Sequence, residues 1–235
     1  MRRTAADRAY EYFPAFLDLV GKRVIVVGGG EVAASKVRAL LPCGAAVVVI
    51  APAVCPTIAQ AAEAGRLVWL ARPYITGDLV EATLVFAATD DRSVNAQVAL
   101  QARQAGSLVL AVDDVPHCDF IAPALVRRGG LVIAISTNAR SPAVARRVRE
   151  WLDERLPAYW GTLLDAAGDA RQRLGTLRPQ VSPEDWQRAL ARLERALAVD
   201  GERLSKAQVE EELLLDLHRA DWSMCTDGQG GIWTD

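Results

Sequence analysis

Lysine is nearly missing from this chain of 235 residues: Lys22, Lys36 and Lys206 are all there is, so arginine supplies almost all the positive charge. Cysteine is sparse as well. Cys43, Cys55, Cys118 and Cys225 form no C-x-x-C pair and match no metal-ligand spacing, which argues against a disulfide framework and a zinc site. No uninterrupted apolar run reaches the roughly 18 residues that a membrane-spanning helix needs. The first nine residues are charged and polar and lack the apolar core of a signal peptide. Together these absences predict a cytoplasmic protein that does not enter a membrane. An excess of basic charge is missing too: the formal net charge is −2, which argues against general nucleic-acid binding. Apolar residues, by contrast, make up 51% of the sequence and charged ones 24%, enough for a sizeable core in an ordinary globular protein.

The first half of the chain alternates between two patterns. Residues 22–27 (Lys-Arg-Val-Ile-Val-Val) form a short apolar run ending at three glycines, as expected of a parallel strand buried on both faces. A helical spacing follows over 31–41 and a second β-rich run over 46–50. Further helices are predicted over 57–64 and 93–104, and further strands over 67–70, 82–87 and 108–112. Such alternation implies an α/β fold, a Rossmann-type parallel sheet covered by helices. After Val112 the rhythm changes. Residues 120–127 and 131–137 read as an antiparallel hairpin around Arg128-Gly129-Gly130. Ser141-Pro142 starts a helix running to about Leu156. Beyond Pro157 the pattern is helical, with capping boxes at Ser182-Pro183-Glu184-Asp185 and Ser205-Lys206-Ala207-Gln208. The expected divisions are a dinucleotide-binding domain over 1–113, an α+β segment over 114–156, a helical domain over 157–226 and a loose tail over 227–235.

Gly28-Gly29-Gly30-Glu31-Val32-Ala33 fits G-x-G-x-x-A between the first strand and the first helix. In that setting Gly28 makes the tight turn, Gly30 lets the backbone approach a pyrophosphate, and Ala33 permits close helix-to-strand packing. The helix start directs free N–H groups at the phosphate. The second strand ends Val49-Ile50-Ala51-Pro52, without the acid that usually holds the adenosine ribose and without an arginine for a 2′-phosphate. NAD is therefore the expected cofactor rather than NADP. Thr89-Asp90-Asp91 follows the fourth strand near the point where Rossmann ligands bind; either aspartate could instead cap the next helix.

Asp113-Asp114 stands at the carboxyl end of the fifth strand, where a carboxylate can take a proton as a hydride leaves a substrate; a turn-forming aspartate is the plain alternative. Between Ile121 and Arg149 stand six arginines (Arg127, Arg128, Arg140, Arg146, Arg147 and Arg149) and not one Asp or Glu. Arginine forks bind carboxylates bidentately, so this segment suits a polyanionic, multiply carboxylated substrate. The alternative is a solvated helix face on which Arg146 and Arg149 pair with Glu150 or Glu154. Arg140, just before a helix start, is the best single candidate. His117 and Cys118 read as structural.

Several stretches, in order and with the right separations, resemble the precorrin-2 dehydrogenase family, which also forms the N-terminal module of siroheme synthase. They are residues 12–19 (Tyr-Phe-Pro-Ala-Phe-Leu-Asp-Leu), 26–33, Ala88-Thr89-Asp90-Asp91, Val112-Asp113-Asp114, 118–124, and 135–138 through Ser141-Pro142-Ala143. The likeness covers about Tyr10 to Leu156. It implies NAD-dependent oxidation of precorrin-2, a tetrapyrrole with acetate and propionate arms, to sirohydrochlorin in siroheme synthesis. Some members also insert Fe2+, so a bifunctional ferrochelatase is an alternative, and an NAD-sensing regulatory module is the non-enzymatic one. The resemblance further implies that Asp113 is the general base. The cofactor would be held by Gly28, Gly29, Gly30, Glu31, Val32, Pro52, Ala53, Thr89 and Asp90, and substrate by Arg127, Arg128, Arg140 and Arg146. Members are intertwined homodimers that exchange the hairpin region. No metal ligand is assigned. Two local departures stand out: the proline after the aspartates is shifted by one, to Pro116, and Thr137-Asn138-Ala139-Arg140 lacks the family's glycines. No methyltransferase domain is expected, which sets the chain apart from a trifunctional synthase.

Overall fold

The computed structural model describes residues 12–112, 114, 118–175, 181–200 and 204–223. The chain divides into two compact units. One holds the residues up to Ala122 together with Asn138–Arg140; the other holds Pro123–Thr137 and the chain from Ser141.

The first unit is built on five strands: β1 (Arg23–Val27), β2 (Ala46–Ile50), β3 (Val68–Leu70), β4 (Leu84–Ala87) and β5 (Leu108–Ala111). All pair in parallel, in the order β3-β2-β1-β4-β5. The chain thus winds outward from β1 to β3 and returns to the other side of β1 for β4. Connections leave β1 in opposite directions there and open a crevice at the carboxyl edge. Val24, Ile25, Val26 and Val27 are all buried, as both faces of β1 are covered. Helix α1 (Glu31–Leu40) lays Ala33, Ala34, Val37 and Leu40 on the sheet. Leu41–Cys43 then form a 3-10 turn that ends at Gly44, with φ of 68°. Pro56 starts α2 (Pro56–Glu63) at a position where its missing N–H costs nothing. Helix α3 (Arg92–Gln104) buries Asn95, Val98, Ala99 and Ala102.

The predicted hairpin begins later than the sequence pattern implied. Phe120 joins no strand, because its ring packs edge-on against Phe86 of the sheet core at 5.4 Å. Its neighbour Asp119 is bound to the outer strand: its N–H donates to the Val109 carbonyl (2.8 Å), and its carboxylate accepts from the Val109 N–H (3.1 Å) and pairs with Arg103 (3.0 Å). Residues 118–120 therefore cover the open edge of β5.

In the second unit β6 (Ala124–Arg128) and β7 (Leu131–Ile135) form the antiparallel hairpin, paired from Ala124↔Ile135 to Arg128↔Leu131 around Gly129-Gly130. Helix α4 (Pro142–Arg155) is capped by Ser141, whose hydroxyl accepts from the Val144 N–H. Helices α5 (Tyr159–Leu174), α6 (Pro183–Asp200) and α7 (Lys206–Ser223) share a core that includes Leu163, Ala166, Leu193, Leu197 and Leu213. Both capping boxes form: the Asp185 N–H donates to Ser182 Oγ at 3.1 Å, and Ser205 and Gln208 bond reciprocally. The helices are cross-braced by Lys206–Asp169 (2.6 Å) and Arg192–Asp216 (2.8 Å).

Glycine is required where α5 meets the hairpin. A Cβ on Gly161 would lie 2.8 Å from the Arg128 carbonyl oxygen, a backbone atom that cannot swing aside. Gly168, on the same helix, faces open space. Gly161→Ala is therefore expected to cost about 1–3 kcal/mol, and Gly168→Ala to gain about 0.5–1 kcal/mol. Urea unfolding of the two variants tests this; shifts of the same sign would contradict the contact.

Candidate functional site

The site forms where β1 and β4 diverge. Gly28 has φ of +126°, and a Cβ there would lie 2.2 Å from the Ala88 carbonyl oxygen. A Cβ on Gly29 would lie 2.0 Å from the Ala53 carbonyl oxygen, while the Gly29 carbonyl accepts from the Cys55 N–H at 2.8 Å. These two glycines are thus demanded by the protein itself, which draws the loops after β2 and β4 against the turn. Gly30 differs: a Cβ there would meet nothing within 4 Å, and its φ of −80° is open to any residue. Gly30 is also the N-cap of α1, and no side chain caps the N–H groups of the first turn. Open room in front of uncapped N–H groups is what an approaching phosphate needs.

A cavity of about 480 Å³ lies over this turn. Its wall includes every residue that the sequence put forward for the cofactor: Gly28, Gly29, Gly30, Glu31, Val32, Pro52, Ala53, Thr89 and Asp90. No Lys or Arg stands on the wall among the described residues, so nothing there would clamp a 2′-phosphate. The residues present fit the pyrophosphate of a dinucleotide.

The paired aspartates after β4 divide their roles. Asp91 caps α3, its Oδ1 accepting from the N–H groups of Ser93 (2.8 Å) and Val94 (3.3 Å). The hydrogen bond from the Ser93 hydroxyl, then those two N–H groups, hold its carboxyl below the usual carboxylate range. Thr89 is fixed by Asn95, which is 5% exposed. Asn95 Oδ1 accepts from the Thr89 N–H (3.1 Å), and its Nδ2 donates to the Thr89 carbonyl (2.8 Å). A buried amide that satisfies both backbone groups of one residue holds that residue's position.

Sequence reasoning missed part of the wall. Pro73 and Tyr74, between β3 and β4, line the cavity, as do Val94 and Gln97 of α3. The β3–β4 connection carries no recognised motif. The only sign available was the spacing of Val94, Gln97 and Gln101 on one face of α3.

The arginines are not equivalent. Arg128 is engaged by the end of α4: its Nε donates to the Leu156 carbonyl at 2.9 Å, and the group pairs with Asp153 at 2.9 Å while also bonding the Arg127 and Asp153 carbonyls. It thus caps a helix C-terminus, and little of its fork is left for a ligand. Arg146 and Arg149 both approach Glu150 at 3.4 Å, the ion pairs foreseen as the plain alternative. Arg127, Arg140 and Arg147 are exposed and make no ion pair with a described residue. Arg140 follows Asn138 and Ala139, which have φ of 51° and 60°. Asp113, expected as the base, lies outside the described residues, as does His117. Among the described residues no group of three His, Cys, Asp or Glu side chains lies close enough to hold a metal ion.

A family model described as putative NAD(P)-binding matches residues 15–124. The siroheme synthase of Sodalis glossinidius is 39% identical over 208 residues, covering 88% of this chain and 44% of the relative. That of Methylococcus capsulatus is 38% identical over 208 residues, 88% of this chain and 43% of the relative. Siroheme synthase 1 of Pectobacterium atrosepticum is 44% identical over 165 residues, 70% of this chain and 34% of the relative. The chain thus spans less than half the length of these curated relatives. A solved structure described as SirC, precorrin-2 dehydrogenase, superposes with a TM-score of 0.67 and 28% identity, covering 87% of this chain and 98% of that one.

The different demands on the glycines give a test of the cradle. Gly30→Thr keeps a good N-cap and its Cβ meets no protein atom within 4 Å, so stability should stay within about 1 kcal/mol while NAD+ affinity falls at least tenfold. Gly28→Ala should lose both. Calorimetric titration and thermal unfolding of each variant check this, and unchanged NAD+ affinity in Gly30→Thr would contradict the assignment.

Proposed function

Since the chain belongs to the family that holds the siroheme synthases and precorrin-2 dehydrogenase, we propose that it oxidises precorrin-2 to sirohydrochlorin with NAD+. The observation that carries this reading is the open cradle at Gly30, set before an uncapped helix start in a homologue of such a dehydrogenase. A dinucleotide held there would supply the hydride acceptor for precorrin-2. The protein supplies three things. The turn from Gly28 to Gly30 and the α1 N–H groups hold the pyrophosphate. Thr89, tied to Asn95, and Asp90 bound the cavity on the β4 side. Asp113, the residue after Val112 in the sequence, takes the proton released as the macrocycle gains its new double bond. Of the four arginines expected to hold substrate, Arg140, in the same unit as the cavity, is a free fork for carboxylates; Arg127 is likewise free of ion pairs with described residues, Arg146 would have to give up Glu150, and Arg128 keeps its structural task.

The same reading makes the protein a cytoplasmic homodimer. No described helix is long and apolar enough to cross a membrane. On α4, Val144, Val148 and Trp151 follow at intervals of four and three residues and are 52%, 38% and 49% exposed, an apolar stripe on one helix face. On the hairpin of the same unit, Leu125, Val132, Ile133 and Ile135 are half-buried. A second copy of the chain covers this surface.

Two measurements test these statements. Asp113→Asn should lower kcat for anaerobic precorrin-2 oxidation by about 10²- to 10⁴-fold while NAD+ affinity is kept; equal kcat would remove Asp113 from the mechanism. Sedimentation equilibrium should give a dimer for the native chain and a monomer for Val148→Asp. A native monomer at micromolar concentration would contradict the pairing.

A further inference from the structure

Part of the cavity wall is unlike the glycine turn. Pro52, Pro73, Tyr74, Val94 and Gln97 on that wall carry no charge, and two prolines, a valine and an aromatic ring give it an apolar character. Tyr74 is held there from several directions. Its hydroxyl hydrogen-bonds Gln101 Oε1 of α3, and Gln101 Nε2 in turn donates to Thr76 Oγ1 at 3.0 Å. The segment around it is clamped by Arg72, whose two terminal nitrogens donate to the Asp78 carboxylate at 2.8 and 2.6 Å. Arg72 also bonds the Pro73 carbonyl, and Asp78 accepts from the Ile75 N–H at 2.9 Å. Side chains 72, 76, 78 and 101 thus fix a ring that the hydrophobic core only partly covers.

The cost of this bracing calls for an explanation. Residues 71–83 connect β3 to β4, and a connection of this kind is ordinarily mobile and has no need to lock a tyrosine on a cavity wall. The locked ring stands on the cavity wall, which two prolines and a valine also line. The β2 end beside it has Ile50-Ala51-Pro52 in place of a ribose-binding acid, so affinity for the nucleoside end must come from surface contact. An uncharged aromatic slot takes a planar, weakly polar group, and a nucleobase is the part of a dinucleotide with that chemistry. Arg72 cannot turn toward a 2′-phosphate while Asp78 holds both of its terminal nitrogens.

We propose that the braced Pro73–Tyr74 platform is the adenine-binding subsite of this chain, with Tyr74 as the residue that carries nucleoside affinity in place of the missing ribose carboxylate. The proposal rests on the dinucleotide reading of the glycine turn. Arg72, Asp78 and Gln101 are positioning residues, acting through Tyr74.

ADP-ribose, which has the adenosine and pyrophosphate but no nicotinamide, isolates the subsite from catalysis. Calorimetric titration of the full chain with ADP-ribose should show binding that weakens about tenfold or more in Tyr74→Ala, while Tyr74→Phe stays within about threefold of the native chain. Nicotinamide mononucleotide, which lacks the adenosine, should bind native and Tyr74→Ala protein alike. In turnover, Tyr74→Ala should raise KM for NAD+ and leave kcat unchanged. If Tyr74→Ala loses its cooperative melting, Tyr74→Leu, which keeps bulk without a ring, is read in the same way.

Equal affinity of native and Tyr74→Ala protein for ADP-ribose overturns the subsite. So does an equal loss for ADP-ribose and nicotinamide mononucleotide, the mark of a purely structural role. Tyr74-dependent binding of ADP-ribose by a protein that never oxidises precorrin-2 would leave the subsite standing and remove the dehydrogenase reading. Turnover with NAD+ that is indifferent to Tyr74 would do the reverse.

Discussion

The site depends on two backbone approaches too close for any side chain. Gly28 lies under the Ala88 carbonyl and Gly29 under the Ala53 carbonyl. Through them the connections after β4 and β2 are both drawn against the turn after β1. That convergence sets the mouth of the cavity and leaves Gly30 as the one position of the turn that the protein does not itself need to be glycine. The strand order makes the convergence possible, because only at β1 do neighbouring connections leave in opposite directions. The Cys55 N–H on the Gly29 carbonyl and the Gly28 N–H on the Ile50 carbonyl then hold the turn in register with β2.

Elements written in short apolar runs were legible in the sequence. β1, β2, β4 and β5 are buried on both faces, so their residues read as continuous Val, Ile and Leu, and each appears within two residues of its expected start. The capping boxes at Ser182 and Ser205 were legible because their chemistry is local. The start of the hairpin was not. Ile121 and Phe120 look like strand residues, but Phe120 is claimed by Phe86 and Asp119 by β5, contacts that no local pattern announces. At the cavity, the glycine turn and its neighbours on the β2 and β4 ends could be foreseen, since motif and strand ends specify them. Tyr74 could not, because its place depends on Arg72 pairing with Asp78 and on Gln101, 27 residues further along the chain.

The arginine-rich segment shows why charge read from sequence overestimates binding capacity. Its acid-free stretch ends at Arg149, and the acids that follow, Glu150 and Asp153, fold back on it: Glu150 meets Arg146 and Arg149, and Asp153 meets Arg128. The exposed pairs on Glu150 contribute little to stability, roughly 0–1 kcal/mol, yet they lower the free cationic charge. Arg127, Arg140 and Arg147 are exposed and stand outside such pairs among the described residues. The stripe of Val144, Val148 and Trp151 runs along α4, the helix that carries Arg147, so exposed cationic and apolar side chains share that helix.

The central claim is that the cavity at the glycine turn serves a two-electron oxidation of precorrin-2. Its most direct test is the stoichiometry of an anaerobic reaction of the purified chain with limiting precorrin-2 and excess NAD+, following NADH and sirohydrochlorin by their absorbance. One NADH formed for each sirohydrochlorin, with neither formed when NAD+ is left out, is the predicted result. Sirohydrochlorin appearing without NADH, or NAD+ bound without any oxidation, would contradict it.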